Sequence, residues 1–390
     1  MLTSLALVFL CGLLLSGVFT KLKLPGLLGM IITGVLLGPF ALDLLDGSLL
    51  GISAQLRQAA LVIILTRAGL SLDIDDLKRV GRPAVLMCFV PACFEIVGTV
   101  LFAPALFGIT RVEAAVMGSV IAAVSPAVVV PRMLKIMDEG YGRKNSIPQL
   151  ILAGASVDDV FVIVLFAAFT SLAGGESVSA ASFLQIPVSI VLGVVVGVCV
   201  GLLLTLFFKR IHMRDSVKLL IILSISFLLL QLETSLKGTV PFSGLLAIMS
   251  TGLAINKKYL PLAKRLSVKY SKLWVAAEVL LFVLVGAAVD LSYAAKFGLA
   301  AVALIIFALI FRMVGVLTCL IKTKLTRKER VFCMVAYTPK ATVQAAIGAV
   351  PLSMGLACGN AVLCAAVVSI LITAPFGAVC IDRLYKKLLD

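Results

Sequence analysis

The sequence predicts an all-α polytopic membrane protein. About thirteen transmembrane helices are expected, as two inverted-topology six-helix repeats with a pair of crossing broken helices. Three observations predict it. Of 390 residues, 62% are hydrophobic and 14% charged, whereas soluble domains are about half apolar and a quarter charged. Apolar stretches of about 18–25 residues, long enough to span a bilayer as a helix, recur along the whole length. Two of these stretches carry a proline directly after a hydroxyl residue near mid-span.

The spans fall at approximately 2–20, 25–42, 54–73, 83–107, 112–137, 147–172, 182–208, 216–236, 239–255, 273–294, 297–320, 329–352 and 361–381. The first, MLTSLALVFLCGLLLSGVF, has no basic leader and no small-residue cleavage site, so it reads as a membrane helix and not a removable signal. Span 3 carries Arg57 and Arg67, and span 4 carries Glu95 near its centre. Span 5 holds AAVSPAVVVP, with Pro126 and Pro131. Span 6 holds AGASVDD, which puts Asp158 and Asp159 side by side near mid-span. Span 7 is the connector. Glu233 lies near the end of span 8, and span 10 carries Glu278, with Asp290 near its end. Span 11 places Arg312 in ALIFRMVGVL. Span 12 holds AYTPKATVQAAIGAVP, with Pro339 and Pro351, and Lys340 follows its first proline. No Ser/Gly linker or low-complexity tract separates a soluble domain, so residues 1–390 form one membrane domain.

Charge orders these spans. Alternate loops sort the basic residues: one side holds Lys21 and Lys23, then Lys78 to Arg82, Arg132 to Lys144, Lys209 to Lys218, Lys257 to Lys272, Lys322 to Arg330 and Arg383 to Lys387. That is 27 of the 34 basic residues, against Arg111, Lys237 and Lys296 on the other side. The positive-inside rule then puts the C-terminus in the cytoplasm and the N-terminus outside, in the cell (inner) membrane. The net charge of +15 is therefore topology and no nucleic-acid footprint. The nine cysteines show no CxxC or metal spacing and read as small core hydrophobes. His212 stands alone in KRIHMRD, which leaves no His-based metal site and no Ser–His triad.

A mid-helix proline removes a hydrogen bond and clashes with the preceding turn. Ser125 before Pro126, and Thr338 before Pro339, compete for the backbone groups so freed. The two interrupted spans lie seven helices apart, an odd offset, so the chain enters them from opposite sides. Residues 1–172 and 216–390 then form the inverted repeats, and 182–208 connects them. In membrane transporters, paired interrupted helices at corresponding positions flank a midplane site. The intramembrane charges Glu95, Asp158, Asp159, Arg312 and Lys340 fall on helices that form or flank that crossing. Ionisable groups at such depth cost several kcal/mol unless paired, so they are functional candidates. Glu278, Arg57 and Arg67 read as snorkelling or locally paired.

At these residues the sequence resembles the monovalent cation:proton antiporters, specifically the NHA-type sodium/proton antiporters. The matching stretches are LPGLLGMIITGVLLGP (25–40), ILTRAGLSLD (64–73), GSVIAAVSPAVVVPRML (118–134), GYGRKNSIPQLILAGASVDD (140–159), TPKATVQAAIG (338–348) and SILITAPFGA (369–378). The resemblance implies that Asp159 is the principal ion-binding and proton-carrying carboxylate. Asp158 either joins ion binding or pairs with the basic residue of span 11, here Arg312. Glu95 and Lys340 match positions paired across the core. It also implies a mobile core of helices approximately 83–172 and 297–381, a dimerisation domain from the remaining helices, a homodimer, and elevator-like alternating access. No cofactor is expected; the partners are Na+ or Li+, H+ and the lipid bilayer.

The residues supply a chemistry for this. Burial penalises a carboxylate's charged form, so a proton and a small alkali cation become alternative ways to neutralise one site. Taking Glu95 with Lys340 as neutral, Asp158, Asp159 and Arg312 sum to minus one, which one Na+, one Li+ or one H+ cancels. Hard cations take oxygen ligands: Asp158, Asp159, the hydroxyls of Ser156 and Ser125, and freed carbonyls near Val124. Arginine does not deprotonate, so adjacent acids suggesting two protons per cation are set against an Arg312 that holds one ionised. Potassium/proton exchange and sodium-coupled organic-acid transport are the rival readings within transport. An intramembrane aspartyl protease needs facing aspartates, and neighbours on one helix diverge by about 100°. Titratable acids beside broken helices favour a carrier over a channel.

Overall fold

The computed structural model describes residues 1–71, 81–174, 180–236 and 240–390, without the side chains of Ser156, Val160 and residues 180–187. Lys78, Arg79 and Lys237 therefore lie outside the described residues, as does the side chain of Ser156. The described chain is all helical, in elements α1 Leu2–Lys21, α2 Gly26–Leu37, α3 Gly47–Gly51, α4 Ser53–Ser71, α5 Arg82–Met87 and α6 Val90–Phe107. There follow α7 Arg111–Ile121, α8 Pro126–Asp138, α9 Ile147–Ala173, α10 Ala180–Arg210, α11 Asp215–Leu236 and α12 Gly244–Lys258. The last third comprises α13 Leu260–Ala287, α14 Leu291–Cys319, α15 Arg327–Ala336, α16 Thr342–Ile347, α17 Val350–Ser353 and α18 Gly359–Leu388.

Among the described residues each expected segment contains helix. Among the described residues nine helices are long and apolar enough to cross a membrane; two of them, Arg82–Phe107 and Arg111–Asp138, are interrupted stretches. The expected span at 273–294 is displaced. Its helix, α13, begins at Leu260 and stops at Ala287. Asp290 then caps a new helix, its Oδ1 accepting from the Ser292 and Tyr293 N–H groups at 2.9 and 3.2 Å. A carboxylate at the N-cap satisfies donors that a helix start leaves free, so Asp290 marks a helix start and not a span end.

The chain divides into two compact units. The first comprises Met1–Ala54, Asp73–Gly175 and Leu281–Asp390. It contains both segments expected to form the moving core, together with residues 1–54. Within it α14 packs along α6, with Phe102 stacked on Phe307 at 4.5 Å and edge-on to Phe311 at 6.1 Å. The end of α18 is fastened to the 139–142 turn. Tyr385 Oη donates to Glu139 Oε2 at 2.6 Å, and the Gly142 N–H donates to the Asp390 carbonyl at 2.8 Å. The second unit comprises Gln55–Leu72 and Glu176–Leu280. Its α10 and α12 meet along Gly193, Gly197 and Gly201, where an added Cβ would come within 2.7, 2.3 and 2.6 Å of the Ser243, Ala247 and Thr251 carbonyl oxygens. Small residues every fourth position let membrane helices approach this closely.

Both spans with a proline directly after a hydroxyl residue near mid-span are broken. Span 5 runs as α7, an unwound stretch over residues 122–125, then α8 with Pro126 at its start. A proline there loses nothing, since its missing N–H would be an orphan anyway; Pro131 sits inside α8 without ending it. Span 12 runs as α15, an unwound stretch over 337–341, and then the short α16 and α17. The two entering half-helices start alike, on TRVE (110–113) and TRKE (326–329), and both form capping boxes. In each, Thr takes the third N–H and Glu returns to the cap N–H. The structure adds a third interruption, at Cys88–Phe89 between α5 and α6. Pro91 in the first turn of α6 is the local cause.

Candidate functional site

The crossing starts from backbone accounting. Helix ends leave N–H and carbonyl groups without partners, and in a membrane interior each must be satisfied by the protein. At the first break the Ser125 N–H donates to the Pro339 carbonyl at 2.7 Å, joining the two breaks directly. The Val124 N–H donates to Asp158 Oδ2 at 2.8 Å. Arg312 Nη1 donates to the Ala122 carbonyl, and Gln344 Nε2 donates to the Ala123 and Ile121 carbonyls at 2.8 and 3.4 Å. At the second break Arg312 Nε donates to the Tyr337 carbonyl at 2.7 Å, and the Lys340 N–H donates to Thr373 Oγ1 at 2.9 Å.

This pattern follows the helix dipoles. Carbonyls at a helix C-terminus carry partial negative charge, and N–H groups at an N-terminus carry partial positive charge. Arg312, carried on α14, meets the C-terminal carbonyls of α7 and α15 together. Asp158, carried on α9, meets the N–H that precedes α8. Each charge is placed at the helix end of opposite sign.

Four charged side chains form one connected chain in the interior. Lys340 Nζ is 2.6 Å from Glu95 Oε2. Arg312 Nη1 is 2.8 Å from that same oxygen, and Arg312 Nη2 is 3.0 Å from Asp158 Oδ2. Glu95, Arg312 and Lys340 are each 1% exposed and Asp158 is 0% exposed, so solvent screens none of these pairs. The Glu95–Lys340 pair is thus not a separate neutral unit. Arg312 joins it to Asp158, because a guanidinium has five donors and serves two carboxylates and two carbonyls at once.

Asp159 stands apart from that chain. It is half-buried, and its Oδ1 is buried without a hydrogen-bond partner. Asp158 Oδ1, Ser125 Oγ and Gln344 Oε1 are likewise buried and unpartnered. Such acceptors each cost about 1–3 kcal/mol when left unmet, and here they gather on residues of the crossing. Among the described residues no three or more His, Cys, Asp or Glu side chains gather into a metal centre.

Val124 meets Asp158 through its N–H, and the carbonyls of residues 121–123 are taken by Arg312 and Gln344, because donors on neighbouring helices reach them. The Ser125 hydroxyl does not compete for the backbone, whereas Thr338 Oγ1 donates to the Val335 carbonyl at 2.8 Å. Ser156 lies on α9, and its side chain is outside the described residues. Two residues were not singled out from sequence. Gln344 is a fully buried amide (0% exposed) within the TPKATVQAAIG stretch; a lone polar side chain in an apolar run was the available signal. Tyr337 lies under the Arg312 guanidinium, 5.3 Å from ring centroid to carbon, and its hydroxyl donates to the Met87 carbonyl freed by the third break, at 3.4 Å.

Comparison with known proteins agrees with this architecture. Residues 5–387 match the family model described as sodium/hydrogen exchanger, transmembrane. The chain is 32% identical over 388 residues to human sodium/hydrogen exchanger 9B2, covering 94% of this chain and 70% of that protein. It is 30% identical over 359 residues to human sodium/hydrogen exchanger 9B1, covering 86% and 67%. In fold it is similar to the sodium proton antiporter MjNhaP1 from Methanocaldococcus jannaschii, with a TM-score of 0.86 over 99% of this chain and 98% of that one, at 20% identity.

Proposed function

The chain belongs to the sodium/hydrogen exchanger family, a family of transporters and not of enzymes, and from that premise we propose that it exchanges Na+ or Li+ for H+ with Asp159 as the exchanging carboxylate. The observation that carries this is the inequality of the two adjacent aspartates. Asp158 accepts from a guanidinium and a backbone N–H on one oxygen. Asp159 has no such partner on its buried Oδ1. Of the pair, only Asp159 is then free to hand its charge from a proton to a metal cation and back.

Formal charge sets the cycle. Glu95, Asp158 and Asp159 against Arg312 and Lys340 leave minus one. One Na+ or one H+ cancels it, so the two occupancies exclude each other. The empty, charged site is expensive to carry past an apolar barrier, which couples one flux to the other. With Asp158 committed to Arg312, one proton per cation is the balance this site supports. The moving core consists of helices within 83–172 and 297–381, working by elevator-like alternating access. The remaining helices form the dimerisation surface of a homodimer in the cell (inner) membrane, N-terminus outside and C-terminus in the cytoplasm. The matching break positions and twin capping boxes support the inverted repeats.

Everted vesicles energised to an acid interior and loaded with a pH-sensitive dye test this. Adding Na+ or Li+ dequenches the dye with the wild-type protein and not with Asp159→Asn. Wild-type exchange rates in that variant would overturn the assignment, and a response to K+ equal to that for Na+ would overturn the cation.

A further inference from the structure

We infer that Gln344 is a specificity-determining residue of the exchange, whose amide oxygen serves the metal cation and not the proton. This rests on the exchange proposed above and goes beyond the aspartates. Gln344 lies on α16 and is fully buried. Its Nε2 faces two carbonyls, Ala123 at 2.8 Å and Ile121 at 3.4 Å. A carbonyl oxygen only accepts, so the amide NH2, and not its oxygen, is the group that meets these two carbonyls. That oxygen has no partner.

The neighbouring residues of the strand lead to the aspartates. Ala123 is held by Gln344, and the next residue, Val124, by Asp158. Ser125 follows, with an unpartnered hydroxyl. Three consecutive backbone positions thus bring together Gln344, Asp158 and Ser125, each with one orphaned oxygen. A primary amide in this position has a use that a leucine lacks. Its donors fix the strand, and its oxygen remains as a neutral, hard ligand.

The chemistry separates the two competing ions. A carboxylate binds either Na+ or H+. An amide oxygen coordinates a metal cation but takes no proton at any pH in which the protein works. Removing it therefore weakens one side of the competition only. The proton continues to bind at Asp159 as before.

The test uses the full-length protein in proteoliposomes, with KM for Na+ and maximal rate measured across a pH series. In Gln344→Leu, KM for Na+ rises about tenfold or more at every pH, the scale of losing one bond to a charged group. The slope of log KM against pH stays that of the wild type. An unchanged KM, or a changed slope, overturns the inference. Leucine also strips two carbonyls of their donor, so Gln344→Asn is carried in parallel; it keeps the amide but withdraws its oxygen by one methylene. Thermal stabilisation of the purified protein by Na+ at alkaline pH reads binding without transport. It is reduced in Gln344→Asn if the inference holds and equals that of the wild type if it does not. The two readings fail separately: continued exchange by Asp159→Asn defeats the site itself, whereas a dead Asp159→Asn beside an unaltered Gln344→Leu defeats only this inference.

Discussion

Arg312 Nη2 lies 3.0 Å from Asp158 Oδ2, and that same oxygen accepts the Val124 N–H at 2.8 Å. The carboxylate nearest the first break is therefore bound on one side by a permanent cation and by the backbone. Asp158→Asn keeps an acceptor for Val124 but cancels the charge, leaving the cluster neutral before any cation arrives. Sodium-driven exchange should persist with KM for Na+ raised about tenfold or more, in contrast to the inactive Asp159→Asn. Equal loss in the two variants, measured by dye dequenching, would contradict the division of labour.

Arg312 meets two carboxylates and two helix-end carbonyls. A lysine has three donors on a compact head and cannot reach all four. Arg312→Lys should retain some transport but lose thermal stability, and Arg312→Ala should lose more, by about 3–5 kcal/mol, the scale for stripping a partner from a buried pair. Melting temperatures of purified protein in detergent check the order wild type, Lys, Ala.

Glu95 serves both Lys340 and Arg312. A double-mutant cycle on Glu95→Gln and Lys340→Met should show coupling of about 0.5–3 kcal/mol, the double variant being more stable than the two single losses add up to. Strict additivity of the melting shifts would show that the pair does not interact.

The crossing is closed by α18. A Cβ added at Gly377 would lie 2.5 Å from Pro339 Cγ and 2.9 Å from Thr338 Oγ1. Gly377→Val should therefore displace the second break and impair both stability and exchange, with overpacking alone costing about 1–3 kcal/mol. Gly17→Ala, where nothing lies within 4 Å, is the control and should be neutral in the same assays.

Asp290 offers a pH-dependent check on α14, the helix that carries Arg312. Side-chain and backbone hydrogen bonds from Ser292, and the Tyr293 N–H, hold its carboxyl below the usual carboxylate value. A group with a depressed folded pKa stabilises above its unfolded value and loses that contribution as pH falls through the folded one. The melting-temperature advantage of wild type over Asp290→Ala should thus be full above about pH 5 and fade below the ordinary Asp value of about 4. A constant difference across that range would show that the cap is not ionic.

Much of this was legible in the residues. Prolines after Ser125 and Thr338 mark breaks because proline lacks the N–H a helix needs, and charges in apolar runs stand out because the membrane penalises them. The break at Cys88–Phe89 was less visible, as Pro91 falls just inside the helix that follows it. The four contacts of Arg312 were not legible at all. They depend on where α6, α7, α9 and α15 come together, which no spacing along the chain encodes. Gln344 escaped for the opposite reason: one uncharged polar residue in an apolar segment carries little signal until its two carbonyl partners are seen. The start of α13 at Leu260 was hidden by basic residues that read as loop.

The central claim is that Asp159 alone exchanges while Arg312 keeps Asp158 ionised. Titration calorimetry of Na+ into the purified protein, in buffers of different ionisation enthalpy at a pH where Asp159 is protonated, counts protons released per cation bound. The account gives one proton per Na+ in the wild type and none in Asp159→Asn. Two protons per Na+, or one still released by Asp159→Asn, would contradict it.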